Sequence, residues 1–192
     1  MSTKKMSNKA LIEPKKKPEK KPKTVAIVIP VRSPGPFLST AIESVLSQAV
    51  PDGFSLKVVV CSGGGMREYK ECEKFKGKID SILLRNAEGT GSALNACLNH
   101  LNRLKLDLHS LFVLSADDTI SAGFVSKLCN ISDLDSKPAV ISPVLLKGND
   151  DEGEYPEPLK SLNIGYNKKA LEILGGWQPR LSRFAGSEMM LR

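Results

Sequence analysis

No stretch of this chain is apolar for long enough to cross a bilayer, although 41% of its residues are hydrophobic. The amino terminus is lysine and proline without the apolar centre of a signal peptide, so the sequence predicts a cytoplasmic protein. Cysteine is scarce: Cys61, Cys72, Cys97 and Cys129 form no C-x-x-C pair, and with only two histidines a zinc site is not expected. Three of the four stand among apolar residues, as reduced packing cysteines do. His100 and His109 have no acid or cysteine partner nearby and are given no role. A G-x-S-x-G elbow is missing, as are a Walker G-K-[ST] and a dinucleotide fingerprint. Serine-nucleophile chemistry and those two nucleotide-binding loops therefore lack support. No internal repeat is visible.

Charge is present but uneven. The net charge is +7 over 192 residues. Residues 1–24 hold nine lysines and two glutamates, and the rest of the chain is formally neutral. Residues 1–23 read as a disordered Lys/Pro-rich tail, too polar to offset the entropy of ordering. Such a tail solubilises, or it contacts an anionic surface, either nucleic acid or phospholipid; the latter would place the protein peripherally at a membrane. Residues 24–192 suffice for one domain with a core.

Within that domain strands and helices alternate. Thr24 to Pro30 is a β-branched run and reads as a buried strand. From Phe37 to Ala49 the apolar residues recur at helical spacing, with Ser39, Glu43 and Gln48 expected to face outward. Ser55 to Cys61 reads as a second strand, followed by Ser62 to Gly65 and a charged helix to about Lys76. A third strand is expected at 79–84, a helix opening at Gly89-Thr90-Gly91, a strand ending at Leu114, a helix at 121–129 and a strand at 139–146. The acid-rich segment 148–158 reads as a loop, and a strand at 162–166 and a helix at 168–174 follow. This order predicts an α/β fold with a mostly parallel sheet covered on both faces. The loops after strands one, two and four would then share one edge, where open α/β sheets bind ligands.

The stretch that organises the rest is Leu111-Phe112-Val113-Leu114-Ser115-Ala116-Asp117-Asp118. Two adjacent acids at the mouth of a buried strand repel each other, and a divalent cation such as Mg²⁺ or Mn²⁺ relieves that. Alternatively Asp118 caps the next helix and Asp117 is a solvated turn residue. Ser62-Gly63-Gly64-Gly65 either brings backbone amides to a ligand or is a plain turn. Asn86 to Ser92 precedes a helix and would meet a phosphate, or Thr90 or Ser92 simply caps it. Trp177, after two glycines, is a sugar-stacking platform or a core residue.

Taken in order and spacing, these segments resemble the family 2 inverting glycosyltransferases with a GT-A fold. The likeness runs from Val25 to Arg192. Val28 to Arg32 is similar to the first strand and nucleotide loop, Ala41 to Gln48 to the first helix, and Asn86 to Asn95 to an N-x-G-x-x-x-A-R-N segment. Ser115-Ala116-Asp117-Asp118 falls where D-x-D-D stands, and Tyr166 to Trp177 where a late helix and G-G-F stand. The resemblance implies a nucleotide-diphosphate sugar donor with Mg²⁺ or Mn²⁺ on its diphosphate and Asp117 as the metal ligand. It places Pro30, Arg32, Cys61 and Ser62 around the base and Ser115 near the ribose, and counts Gly63, Gly91, Ser92, Asn95, Ala116, Asp117 and Trp177 among the residues that bind the nucleotide sugar. Glu188 is the acid nearest the usual base position, which is Gly186 here. Cys61 and Ser115 also stand where the family carries acids. The expected activity is metal-dependent sugar transfer to an acceptor hydroxyl on a glycan, a lipid-linked sugar or DNA. The competing expectations are a degenerate GT-A-fold scaffold that binds nucleotide sugars, and a nucleotidyltransferase. The last would want a glycine-rich signature with a lysine after the first strand, and 31–36 has none.

Overall fold

The computed structural model describes residues 21–31, 36–63, 66–83, 89–131, 136–141 and 163–178. Among the described residues six strands form one sheet: β1 (Lys23–Val31), β2 (Phe54–Ser62), β3 (Asp80–Leu83), β4 (Asp107–Val113), β5 (Val140–Ile141) and β6 (Ile164–Asn167). Their spatial order is β3-β2-β1-β4-β6-β5. β1, β2, β3 and β4 run parallel, while β6 is antiparallel to both β4 and β5. The expected alternation of parallel units therefore holds as far as β4. Beyond it the sheet is completed by antiparallel pairing.

Five helices among the described residues flank the sheet: α1 (Leu38–Leu46), α2 (Met66–Glu73), α3 (Thr90–Arg103), α4 (Phe124–Cys129) and α5 (Lys168–Leu174). Strand alternation divides the core. Val25, Ile27 and Ile29 of β1 pack with Val58 and Val60 of β2 against α1 and α4. Ala26, Val28, Val59 and Cys61 face the other way, onto Ala93, Leu94, Cys97 and Leu101 of α3 and onto α5. A strand buried on both faces needs apolar residues at every position, which is why β1 and β2 read as continuous runs and not as alternating ones.

Two expected helices are shorter than their apolar periodicity suggests. α1 stops at Leu46, and Gln48 turns inward. Its amide donates to the carbonyls of Ser44 and Ser121 and accepts from the Val125 amide, so Gln48 is buried and not outward-facing as expected. α4 starts only at Phe124, because Gly123 before it has a left-handed backbone (φ +77°) that a helix cannot contain. Among the described residues no helix is long and apolar enough to cross a membrane.

At the amino end of β3, Asp80 accepts from Lys57 Nζ at 2.8 Å and bonds His100 Nε2 at 2.6 Å. His100 thus has an acidic partner, twenty residues away in sequence. Partial burial pushes the Asp80 carboxyl up, but hydrogen bonds and charge attraction from Lys57 and His100 outweigh it and hold the group below its usual value.

Two outcomes are expected. Gly165 in β6 lies between Phe112 and Ile141, and a Cβ there would meet both at 3.1 Å. Gly165→Val should destabilise the protein by about 1–3 kcal/mol through overpacking, read as a lower urea midpoint. Asp80, with its lowered folded value, stabilises the fold above the unfolded carboxylate range (about pH 4) and loses that effect as pH falls through the folded value. Thermal melts of wild type and Asp80→Asn should therefore differ at neutral pH and converge in acid.

Candidate functional site

The chain builds β1, then β2 and β3 outward on one side, then crosses back to place β4 on the other side of β1. In open α/β sheets such a reversal marks the ligand crevice, which here would lie at the carboxyl ends of β1 and β4. Local bonding shows where the strands part. Leu114 donates to the Val28 carbonyl at 2.9 Å, and this is the last bond between β4 and β1. Two residues on, Pro30 points its nitrogen the same way but has no hydrogen to offer. It is tolerated in a central strand because β4 has already stopped pairing. On the other side β1 stays paired with β2 as far as Val31 and Ser62, and Gly63 then donates to the Val31 carbonyl at 2.9 Å.

The Ser115–Asp118 segment sits at that crevice. Asp118 donates its amide to the Ser115 carbonyl at 3.2 Å, closing a four-residue turn with Ala116 and Asp117 at its corners. Asp117 is exposed; Ser115, Ala116 and Asp118 are half-buried. Asp118 does not cap α4, whose N-cap is Gly123. Its Oδ2 instead accepts from Asn163 Nδ2 at 2.7 Å, while Asn163 Oδ1 accepts the Ser115 amide at 2.9 Å. Asn163 is 5% exposed and stands just before β6, opposite the end of β4. Its sequence signal is weak, an amide directly before a short apolar run, because its partners lie 45 and 48 positions away. From the other side, Ser44 Oγ of α1 accepts the Ile120 amide at 3.2 Å.

The remaining candidates fall into three groups. Pro30, Ser62 and Gly63 lie at the carboxyl ends of β1 and β2, on the same edge as the turn, with Pro30 and Ser62 buried and Gly63 exposed. The Gly63 amide is taken by Val31, so it is not the ligand donor that the glycine run suggested. Gly91 and Ser92 lie in the first turn of α3, which follows the carboxyl end of β3. Gly89 is the N-cap and has no side chain, so neither Thr90 nor Ser92 fills that position.

The second group is buried behind the edge. Cys61 points into the α3 layer, fully covered, with its sulfur against that of Cys97. That contact and burial push the Cys97 thiol up, so it stays protonated. Trp177 is 3% exposed and packs edge-on to Tyr166 with ring centroids 5.7 Å apart. Its position corrects the platform reading in favour of the core one. Asn95 holds the Trp177 backbone from both sides: its Oδ1 accepts the Trp177 amide at 2.8 Å and its Nδ2 donates to the Trp177 carbonyl at 2.6 Å. Asn95 therefore spends its amide on the chain itself. The approach is close enough that Gly176 (φ +124°) could not carry a Cβ, which would fall 2.7 Å from Asn95 Oδ1.

The third group lies outside the described residues: Arg32, Gly64, Gly65, Glu188 and the amino-terminal residues up to 20.

No protein-family model and no curated protein matches the sequence. Solved structures match in fold. S. aureus TarS 1–349 in complex with UDP-GlcNAc superposes with a TM-score of 0.64 at 14% identity, over 87% of this chain and 52% of that one. Uncomplexed TarS 1–349 gives 0.63 at 15%, over 83% and 51%. The mannosyltransferase PcManGT from Pyrobaculum calidifontis, in complex with GDP-Man and Mn²⁺, gives 0.57 at 17%, over 86% and 50%. This chain spans about half the length of the structures it matches. The α/β, GT-A-like architecture expected from the sequence, a mostly parallel sheet flanked by helices, is the one observed.

Trp177 is the sole tryptophan, so its fluorescence reports on the Asn95 contact directly. Asn95→Leu strands the Trp177 amide and carbonyl and should cost about 1–3 kcal/mol. The native emission should be blue-shifted in the wild type and move to the red in the variant.

Proposed function

We propose that this chain binds a nucleotide-diphosphate sugar in the crevice between the ends of β1 and β4 and transfers the sugar to an acceptor hydroxyl. The observation that carries this reading is Asp117, an exposed carboxylate at the corner of a tight turn at the switch point of the sheet. Structures of the same fold hold UDP-GlcNAc in one case and GDP-Man with Mn²⁺ in another.

The residues present suit Mg²⁺ or Mn²⁺ in one particular way. Among the described residues no three acidic, histidine or cysteine side chains converge, so the chain there offers no ready-made cage. A lone exposed carboxylate fits an ion that arrives on the diphosphate, and Asp117 would hold it. Such an ion supplies Lewis-acid stabilisation of the leaving diphosphate. Ser115 and Ala116, on the same turn, would meet the ribose. Pro30, Ser62 and Gly63 would border the base on the β2 side, and Gly91 and Ser92 at the start of α3 would lie toward the diphosphate. Cys61, Asn95 and Trp177 support this edge from the layer beneath.

We read the transfer as inverting, in the manner of family 2. The acceptor oxygen bonds to the anomeric carbon as the bond from that carbon to the diphosphate oxygen breaks, and a carboxylate takes the acceptor's proton. Glu188 is assigned that task by resemblance alone. The acceptor is a glycan, a lipid-linked sugar or DNA, with the Lys-rich tail as contact for an anionic surface. One observation favours a second reading, a donor-binding or scaffold protein without turnover. Cys61, where the resemblance expects a base-binding acid, is sealed against Cys97.

Calorimetric titration with UDP-GlcNAc and GDP-Man should show binding that requires Mn²⁺ and is lost in Asp117→Ala. Sugar release or transfer by the wild type then separates the enzyme from the scaffold. Absence of binding to every nucleotide sugar tried would overturn the reading.

A further inference from the structure

Two acids stand side by side at the crevice, and the structure treats them differently. Asp117 is exposed, whereas Asp118 is half-buried and held by Asn163. Asn163 reaches both ends of the turn at once, the Ser115 amide at 2.9 Å and the Asp118 carboxylate at 2.7 Å. Without it, the turn is closed by the single 3.2 Å backbone bond from Asp118 to Ser115. An amide is the side chain suited to this place. It accepts from a peptide N–H and donates to a carboxylate while staying neutral and buried.

From this arrangement we infer that Asn163 is a positioning residue for the cation site: it draws Asp118 back as a structural strut and so presents Asp117 alone to a metal–diphosphate. The inference rests on the proposed function and adds a division of labour between the two acids. Asp118 has one oxygen committed to Asn163 and is held toward β6. Asp117, at the corner, is the carboxylate left facing outward. Partners that orient a metal ligand without touching the metal typically change affinity by about 10–100-fold when removed.

The test uses the full chain and reads the spin-resonance signal of free Mn²⁺ during titration in the presence of UDP or GDP. Four variants accompany the wild type: Asp117→Ala, Asn163→Leu, Asp118→Asn, and the exchange Asn163→Asp with Asp118→Asn. The exchange keeps the net charge and rebuilds the bond with donor and acceptor reversed, and an aspartate at 163 still accepts from Ser115. Asn163→Leu, confirmed as folded by circular dichroism, should bind Mn²⁺–nucleotide about 10–100-fold more weakly. The exchange should regain wild-type affinity, and Asp118→Asn alone, which keeps an acceptor for Asn163, should lose less than Asp117→Ala. A folded Asn163→Leu with wild-type affinity would overturn the inference and leave the proposed function standing. Should Asn163→Leu not fold, the exchange decides: restored affinity supports the inference, and lost affinity in a folded exchange variant overturns it. Wild type that takes up no Mn²⁺ with either nucleotide overturns the proposed function and this inference together.

Discussion

Everything in this molecule is arranged around β1. From Thr24 to Val31 the strand is buried along its whole length, so it must be covered on two faces and paired on two edges. The chain satisfies the second requirement by leaving β1 toward β2 and β3 and then returning to lay β4 on its far side. Open α/β sheets leave a ligand gap at such a reversal of strand order, here at the carboxyl ends of the parallel strands β1 and β4. The acidic turn follows β4 directly, so topology delivers it to the gap, and Asn163 and Ser44 then hold it there.

Pro30 marks the depth of the gap. A proline in a central strand normally removes a ladder bond, and here it lies where β4 no longer pairs. Lengthening the β1–β4 ladder by one more bond on that side would need a donor that Pro30 lacks. The end of the β1–β4 ladder is thus written into the backbone chemistry of β1 as well as into the strand order, and Pro30, which sets it, is itself one of the residues proposed to border the base.

The strand runs, the helical periodicities and the edge that carries Asp117 were legible because they rest on local patterns. Val58 to Cys61 and Val25 to Ile29 are short, β-branched apolar runs between turn residues, the pattern of doubly buried strands, and Leu111 to Asp118 is an apolar run ending in charge. What stayed hidden was set by partners distant in sequence. Gln48 looked like a surface residue at helical spacing, but its acceptor at Ser121 lies 73 positions on. The resemblance puts Cys61 at the base. Strand parity instead turns it onto α3, where Cys97 meets it. His100 seemed to lack an acid because Asp80 is brought to it by β3. Asn95 reads as a donor contact and Trp177 as a donor contact or a core residue, but nothing local marks them as partners of each other.

Four buried or half-buried amides share one task, and together they explain how loops without regular structure are held at this edge and behind it. Gln48 joins α1 to the start of α4, Asn95 joins α3 to Trp177, and Asn163 joins the start of β6 to the acidic turn. Asn167 caps α5 through the Ala170 amide while also bonding the Ala139 amide and the Lys137 carbonyl. A carboxylate in any of these places would have to be buried with a charge, and a hydroxyl would reach fewer partners. An amide offers a donor and an acceptor in one neutral plane, which matches a peptide group or, for Asn163, an amide and a carboxylate together. Each such bracket costs little while both of its ends are satisfied and becomes expensive when one is removed. Of the four, Asn163 is the one at the Asp117 turn, and as a neutral amide it holds that turn without adding charge beside the carboxylate.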